Sequence, residues 1–226
     1  MRAEIDAGLK WRTMRWRWGS LFKFGARAHM EQFLEEGLLF MNTLAWFSEV
    51  EDEGLQRERG DGFVRWWQGT LLTRNLGEMV IADAPPVQLH SSELQEVNVF
   101  CMYHYGQHSA WVDRRNHCKG EMCAVIHRQA ALLERVVAAF EAQSQFERLA
   151  SGDVHYVEAR LRHAAPSPFE KTLAYSYQHE FRIALSPGLG HPCQFRIGDL
   201  TGIGFLMYAD TVNRVPMRAN LLPPKH

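Results

Sequence analysis

Apolar residues near the start of the chain change from the spacing of a strand to that of a helix and back. Residues 20–24 form a short, mostly apolar run that predicts a strand. Residues 26–36 follow a helical repeat, and Gly37 stands where a left-handed C-terminal cap is expected. Residues 38–41 predict a second, buried strand. One face of the predicted helix carries the apolar residues Met30, Phe33 and Leu34.

Helical periodicity extends furthest between residues 128 and 149, where six apolar side chains fall in register and Gly152 follows the predicted end. These side chains are Leu132, Leu133, Val136, Val137, Phe140 and Phe146. Other short apolar runs, bounded by turn residues, predict strands at 79–81, 97–103, 155–161, 175–185, 193–197 and 204–208. Strands of this kind with two segregated helices predict an α+β fold with a mixed or antiparallel sheet.

Length and composition fit one large domain, since the chain has 226 residues and 46% of them are apolar. We divide it into a basic, aromatic N-terminal arm, residues 1–19, and a single α+β domain, residues 20–226, because no linker or repeat separates the remainder. Residues 49–62 are charged and predict a surface loop. A net charge of −1 gives the whole molecule no attraction for nucleic acid or anionic lipid.

The same composition indicates a cytoplasmic protein without a membrane partner. No stretch reaches the roughly 18 apolar residues of a membrane helix, and the first residues lack the apolar core of a secretory signal. Four cysteines in a chain of this length do not form a disulfide framework, so reduced thiols are expected. They are Cys101, Cys118, Cys123 and Cys193.

The strand predicted at residues 175–185 contains the most informative polar residues. Because side chains alternate between the faces of a strand, Gln178 and Glu180 are expected to project side by side, opposite an apolar face. A fixed carboxylate stabilises the ribosyl cation formed when an N-glycosidic bond breaks, and an amide beside it can orient the nucleophile. The strand alone favours a simpler explanation, an ordinary solvent-exposed polar face with Glu180 paired to Arg182 or to a neighbouring strand.

Three segments together resemble the ADP-ribosyltransferases. Residues 21–24, the following helix and the sequence Phe33-Leu-Glu-Glu-Gly-Leu38 are similar to that family's first motif, a strand bearing His or Arg before a helix that ends in a Leu-x-x-Gly-Leu turn. Residues 40–47 fall where its second motif lies, and Gln178-His-Glu180 resembles its third. The chain also resembles uncharacterised bacterial mobile-element proteins, through residues 178–182 and 197–200.

The resemblance implies a split β-sheet and transfer of ADP-ribose from NAD to a nucleobase or to an amide side chain of a protein. Glu180 would be the catalytic carboxylate, and Gln178 would contact the acceptor. Such enzymes include bacterial toxins and anti-phage effectors, so an antitoxin is an implied partner. Lys23 departs from the family's His or Arg, and core packing is the alternative for Trp46 and Phe47. The residues assigned to NAD are Lys23, Phe24, Asn42, Thr43, Trp46, Phe47 and Arg59.

The N-terminal arm offers a separate candidate surface. Basic residues and tryptophans are interleaved from Lys10 to Arg27, a pattern that fits single-stranded nucleic acid because cations bind phosphates and aromatic rings stack on bases. An amphipathic leading strand explains the same pattern. The candidate nucleic-acid residues are Arg12, Arg15, Trp16 and Arg17.

Metal chemistry has weaker support in the sequence. The region from His104 to Cys123 is rich in His and Cys, but its single Cys-x₄-Cys pair does not have the usual zinc spacing, so we predict no metal site. Asp153 and Glu158-Ala-Arg160 loosely resemble a nuclease core, although arginine cannot lose a proton as the usual lysine does. Three functions remain open: ADP-ribosyl transfer, non-catalytic binding of nucleic acid or a partner by the same fold, and metal-dependent cleavage of nucleic acid.

Overall fold

A computed structural model describes residues 11–14, 19–49, 65–67, 70–73, 77–80, 87–89, 96–106, 111–158 and 167–214. The α-helices are α1 (Arg27–Glu36), α2 (Leu44–Glu49) and α3 (Gln129–Glu141), and 3₁₀ helices span Arg114–Lys119, Leu173–Gln178 and Ala209–Thr211. The strands are β1 (Trp11–Met14), β2 (Ser20–Gly25), β3 (Leu38–Thr43), β4 (Arg65–Trp67), β5 (Thr70–Thr73), β6 (Gly77–Val80), β7 (Val87–Leu89), β8 (Asn98–Tyr105), β9 (Met122–Ile126), β10 (Arg148–Asp153), β11 (His155–Val157), β12 (Glu170–Thr172), β13 (Glu180–Ser186), β14 (Cys193–Arg196) and β15 (Gly204–Tyr208).

Nine strands form the main sheet, which forks at β8. Along one path the order is β1-β10-β13-β8-β2-β9-β15, while β3 leaves β8 to pair with β14. Strand β13 pairs along one side of β8, so β2 and β3 share the other side. β2 pairs with β8 as far as Tyr103, and β3 pairs with it as far as Val99. Residues 100–102 of β8 therefore lie in the opening between β2 and β3.

The main hydrophobic core lies between this sheet and the helices. Helix α1 contributes Met30, Phe33 and Leu34, as the sequence predicts. The predicted cap is also confirmed, because Gly37 follows α1 with a left-handed backbone, φ 62°. A Cβ at Gly37 would come within 2.0 Å of the carbonyl oxygen of Gly198, so this glycine allows two backbones to meet. Helix α3 adds Leu132, Leu133, Val136 and Phe140 to the same core.

The coarse expectation of an α+β fold with a mostly antiparallel sheet is confirmed. The described pairings are antiparallel except for β1 with β10 and β11 with β12. The predicted strand–helix–strand start corresponds to β2, α1 and β3. Part of the predicted arm, residues 11–14, pairs with β10 as an edge strand. In the described residues, no helix is both long enough and apolar enough to cross a membrane.

The long helix predicted at residues 128–149 is wrong over its last third. Helix α3 ends at Glu141, and residues 148–153 form β10, so Gly152 lies within a strand and does not cap a helix. Phe146 is buried in the same core but comes from the connection between the two elements. Pairing of β10 with β13 and β1 overrides the helical spacing of Leu149. Residues 50–62, 81 and 159–161, which belong to the predicted loop and to two predicted strands, lie outside the described residues.

Candidate functional site

A cavity of about 590 Å³ occupies the fork between β2 and β3. Its wall includes residues 99–103 of β8, together with side chains from α1, α2 and the 3₁₀ helix Arg114–Lys119. Small-molecule sites in proteins range over roughly 300–1,000 Å³, so the cavity can hold a ligand the size of a nucleotide. The fork that opens the sheet is thus also the feature that creates a site.

Lys23 enters the fork from β2. Its neighbours Phe22 and Phe24 pack in a second hydrophobic cluster, so strand alternation directs Lys23 to the other face. The Lys23 ammonium donates to the carbonyl oxygen of Cys101 at 2.8 Å and lies 4.5 Å from the centre of the Phe100 ring. Burial lowers the pKa of Lys23 from its ordinary value, and the Glu180 charge partly opposes that effect. Lys23 therefore satisfies a carbonyl of β8 within the fork.

Glu180 lines the same cavity and is held by two buried cations. Arg182 Nε donates to Glu180 Oε1 at 2.7 Å, and Lys171 Nζ lies 2.5 Å from Glu180 Oε2. Only 5% of Glu180, 4% of Lys171 and none of Arg182 is exposed. Burial acts to raise the pKa of Glu180, but the charges of Arg182 and Lys171 outweigh it and hold the pKa well below its usual value. The carboxylate is therefore ionised at neutral pH, and the pairing with Arg182 that the sequence allowed is present.

The strand predicted at residues 175–185 is wrong over its first half. Residues 173–178 form a 3₁₀ helix that ends at His179, whose backbone is left-handed with φ 38°, and β13 begins only at Glu180. The pairing of β13 with β10 ends at Glu180. Its carbonyl accepts from Val154 N–H at 2.8 Å, just after the end of β10. Gln178 and Glu180 are therefore not successive side chains on one strand face.

Lys171, seven residues before Gln178, still brings the two side chains together. Lys171 Nζ donates to Gln178 Oε1 at 2.7 Å and also contacts Glu180, so it bridges the amide and the carboxylate. Both Gln178 and Glu180 line the cavity. Glu180 N–H donates to the Tyr156 hydroxyl at 2.8 Å, which fixes the backbone at the turn. The predicted pair is adjacent, but a different local structure produces the adjacency.

Cys101 lines the cavity together with Lys23 and Glu180. Burial, with the Glu180 charge as the next cause, raises the pKa of this thiol to about 12. A thiol of that pKa stays protonated at neutral pH, and the thiolate is the nucleophilic form. Cys101 can thus pack against a ligand, whereas attack on one is disfavoured. Cys101, Cys123 and Cys193 are free thiols in the structure.

Aromatic side chains form the side of the cavity that belongs to β3 and α2. Phe40 is 54% exposed and Trp46 41% exposed, and the Trp46 ring meets Phe47 edge-on with the ring centres 5.0 Å apart. Asn42 lines the cavity between them and β8. Thr43 is buried outside this wall, and its hydroxyl accepts from Trp46 N–H at 3.2 Å. Thr43 therefore fixes the start of α2, and through it the position of Trp46.

The sequence analysis does not predict three residues of the site. Lys171 contacts Glu180 and Gln178 from β12, and Asn116 and Lys119 line the cavity from the 3₁₀ helix Arg114–Lys119. Asn116 Nδ2 donates to the Tyr177 carbonyl at 3.0 Å, which ties that helix to the turn before Glu180. No local pattern marks these residues, because each is brought to the fork by tertiary packing. Phe24, predicted at the NAD site, lies on the cavity wall beside them.

Several predicted residues are not brought to the fork by the described structure. Arg59, Arg15, Trp16 and Arg17 lie outside the described residues, and of Arg12 only the backbone, in β1, is described. Asp153 of the suggested nuclease core contacts a buried histidine, with His104 Nδ1 2.5 Å from Asp153 Oδ1. Glu158 is exposed, and Arg160 is outside the described residues. Within the described ranges, no group of three His, Cys, Asp or Glu side chains could share a metal ion.

The arrangement as a whole offers an ionised carboxylate, two further cations, Lys23 and Lys119, and an aromatic wall around one space. Cations favour an anionic group such as phosphate, and aromatic faces favour a planar ring. Comparisons of the chain with profiles of protein families, with curated proteins and with solved structures find no match.

Proposed function

We propose that this protein transfers ADP-ribose from NAD to a macromolecular acceptor, a nucleobase or a protein side chain, with NAD bound in the fork cavity. The observation that carries the proposal is the Glu180 carboxylate, which is ionised, fixed by two cations and part of the wall of a cavity large enough for a nucleotide. A toxin or defence effector of this kind would require a neutralising partner in its own cell.

The charges around the cavity fit a dinucleotide. Arg182 and Lys171 together more than balance Glu180, and Lys23 and Lys119 add positive charge on the wall. The diphosphate of NAD would lie against Lys119 at the exposed side, and a planar ring would pack against Trp46 or Phe40. The residues present therefore suit both the anionic and the aromatic parts of NAD.

The chemistry to be assisted is cleavage of the bond between ribose and nicotinamide, whose electron pair leaves with nicotinamide while the acceptor bonds to the ribosyl carbon and loses a proton. Glu180 would stabilise the positive charge on the ribose, since a fixed anion costs little reorganisation during the reaction. It is ionised at neutral pH, so it acts as an electrostatic stabiliser and not as a proton donor. Lys171 would keep Gln178 beside it, on the side of the acceptor.

Non-catalytic binding of a nucleotide or a nucleic acid is the second candidate. It is favoured by the same ion pairs, because both carboxylate oxygens of Glu180 already bond to buried cations. In that case Glu180 neutralises Arg182 and Lys171, and the cavity only recognises its ligand. The two candidates share a site and differ in whether a covalent bond breaks.

The test incubates the protein with NAD labelled in the adenylate part, together with separate RNA, DNA and protein pools. Release of nicotinamide with transfer of label to one pool is the expected result. NAD binding by calorimetry without nicotinamide release supports the second candidate, and absence of both binding and release contradicts each proposal. Cleavage of RNA or DNA that needs Mg²⁺ but not NAD would identify a nuclease.

Two variants separate chemistry from binding in this assay. Glu180→Asp keeps a negative charge beside Arg182 and Lys171 but moves the carboxylate by the length of one methylene, so transfer is expected to fall about 100-fold or more. Glu134→Asp makes the same change at an exposed position of α3 and serves as the matched control. Equal activity of Glu180→Asp and Glu134→Asp, with both variants folded, would show that Glu180 takes no part in the reaction.

A further inference from the structure

Lys23 and Lys171 differ in what surrounds their ammonium groups. Lys171 Nζ lies 2.5 Å from Glu180 Oε2, so its charge is paired with an anion. Lys23 Nζ donates to the carbonyl oxygen of Cys101 at 2.8 Å and lies 4.5 Å from the centre of the Phe100 ring. No ion pair in the described part of the chain joins Lys23 to a carboxylate. The Lys23 amine is therefore held by a neutral oxygen and by the face of a ring.

Two acidic side chains act on the Lys23 charge, and neither supplies the missing anion. Both carboxylate oxygens of Glu180 already bond to other cations. The Cys101 thiol stays protonated at neutral pH, because burial raises its pKa to about 12. Burial lowers the pKa of Lys23, the charge of Lys119 lowers it further, and the Glu180 charge opposes them. Lys23 consequently contains a larger fraction of neutral amine than an exposed lysine does at the same pH.

A neutral lysine amine on the wall of a cavity is a nucleophile for a carbonyl group. The nitrogen lone pair forms a bond to the carbonyl carbon, the two amine protons move to the carbonyl oxygen, and the C–O bond breaks to release water. The product is an imine that joins Lys23 to the ligand, and the step requires no oxidant or reductant. An aldehyde bound in the fork is therefore a ligand with which Lys23 can react.

The space around Lys23 indicates what else such an aldehyde would carry. The cavity has a volume of about 590 Å³, and its wall includes Lys119, Phe40 and Trp46. Lys119 is exposed and forms no ion pair with the described residues, so it can bind an anionic group such as a phosphate. Its charge acts on the pKa of Lys23, and both lysines face the same space, so we expect one ligand to reach both. The exposed rings of Phe40 and Trp46 offer faces for a planar ring.

We propose that Lys23 captures an aldehyde as an imine in the fork cavity, and that the preferred aldehyde carries a phosphate and a planar ring. The phosphate would contact Lys119, and the ring would pack against Phe40 or Trp46. This chemistry uses a different group from the ADP-ribosyl transfer proposed above, in which Glu180 acts on the ribose. The inference goes beyond that function and does not depend on it.

Reductive trapping tests the site in the intact chain. The probe is pyridoxal 5′-phosphate, which combines an aldehyde, a phosphate and a planar ring, and sodium borohydride then converts any imine into a stable amine. The chain has five lysines, so peptide mass spectrometry can assign the label to each of them. At neutral pH, label at Lys23 is expected to form at least about tenfold faster than label at Lys119, because burial favours the neutral amine. Label that forms first at any other lysine, or at equal rates on all five, would overturn the inference.

Two substitutions of lysine by arginine separate capture from non-specific labelling. Lys23→Arg keeps a cation that can donate to the Cys101 carbonyl, but a guanidinium does not form an imine, so the fast label is expected to disappear. Lys225→Arg makes the same change outside the described residues and is expected to leave the fast label unchanged. Fast labelling of Lys23→Arg at the wild-type rate would overturn the inference. If Lys23→Arg does not fold, the distribution of label in the wild type still decides.

The role of the phosphate is tested by comparison with pyridoxal, which has the same ring and aldehyde. Relative to their rates with free acetyl-lysine, pyridoxal 5′-phosphate is expected to label Lys23 about three- to tenfold faster than pyridoxal does, and Lys119→Ala is expected to remove this difference. Equal relative rates of the two probes in the wild type would overturn the proposed class of ligand. Release of nicotinamide from NAD is measured separately, so failure of one proposal can be distinguished from failure of the other.

Discussion

At the scale of single residues, Glu180 has two roles that are usually separate: it faces the cavity and it neutralises buried cations. A catalytic anion must face the ligand, whereas Lys171 and Arg182 need a counter-charge because both are buried. The carboxylate meets both demands because it stands at the start of β13, between the cavity and the two cations. A substitution there consequently changes stability as well as any activity.

Glu180→Gln is expected to lower the free energy of unfolding by about 3–5 kcal/mol at neutral pH, since it leaves two buried cations without their anion. Urea denaturation of the wild type, Glu180→Gln and the exposed control Glu134→Gln measures the effect. A loss below about 1 kcal/mol, similar to that of the control, would contradict the assigned ion pairs.

The difference in unfolding free energy between the wild type and Glu180→Gln is expected to depend on pH in one direction. The pKa of Glu180 is lower in the folded than in the unfolded chain, so its stabilising contribution is complete above the ordinary glutamate value of 4.5 and is lost as the pH falls towards the folded value. The gap between the wild type and Glu180→Gln should therefore be constant from pH 7 to about pH 5 and shrink below that. For Glu134→Gln no comparable trend is expected.

At the scale of elements, the sequence predicts best where local pattern and tertiary packing agree. Helix α1 is predictable because its apolar stripe and its glycine cap indicate the same boundaries. The end of α3 is not predictable in this way, because Phe146 and Leu149 keep a helical spacing although they lie beyond the helix. The start of β13 is not predictable either, because Tyr175 and Tyr177 alternate as in a strand although they lie in a 3₁₀ helix. Strand partners decide both boundaries, and these partners are distant in sequence.

Burial, which a local sequence pattern does not show, explains which part of the site could be predicted. Gln178, Glu180 and Lys23 belong to recognisable segments, and the structure brings all three to the cavity wall. Lys171, which bridges Gln178 and Glu180, lies in the short strand β12 whose sequence, Glu-Lys-Thr, resembles an ordinary surface strand. Its role follows from burial of its ammonium group, which no sequence pattern reveals.

Three glycines provide a graded test of the contact between α1 and the segment after β14. Gly37→Ala is expected to destabilise by about 3 kcal/mol or more, because the left-handed backbone disfavours alanine and the new Cβ would collide with the Gly198 backbone. Gly190→Ala, with φ 69° and open space, is expected to cost about 1 kcal/mol. Gly202→Ala, which has open space and no such φ, should be close to neutral. Thermal unfolding ranks them, and a Gly37→Ala no less stable than Gly190→Ala would refute the close backbone contact.

At the scale of the whole molecule, the charge around the fork cavity differs from the net charge of the chain. The chain carries a formal charge of −1, yet its cavity region gathers Lys23, Lys119, Lys171 and Arg182 around one carboxylate. The charges of Arg182, Lys171 and Lys119 all lower the pKa of Glu180, so these three cations act on the same carboxylate. A concave, partly dry site concentrates such a field on a ligand more than a flat surface does. The overall composition therefore conceals a site suited to an anion.

Lys119→Ala tests this field without disturbing the core, because Lys119 is exposed at the cavity. ADP-ribose carries a diphosphate and adenosine does not, so the variant is expected to weaken ADP-ribose binding about three- to tenfold and to leave adenosine binding unchanged. Calorimetry at low and at physiological ionic strength should show the ADP-ribose difference shrinking with salt. Arg196→Ala, which removes an exposed cation paired with Glu36 across α1 and β14, is the matched control. Equal weakening of both ligands by Lys119→Ala would mean that Lys119 acts through packing, and the anionic part of the ligand would then have to be bound elsewhere.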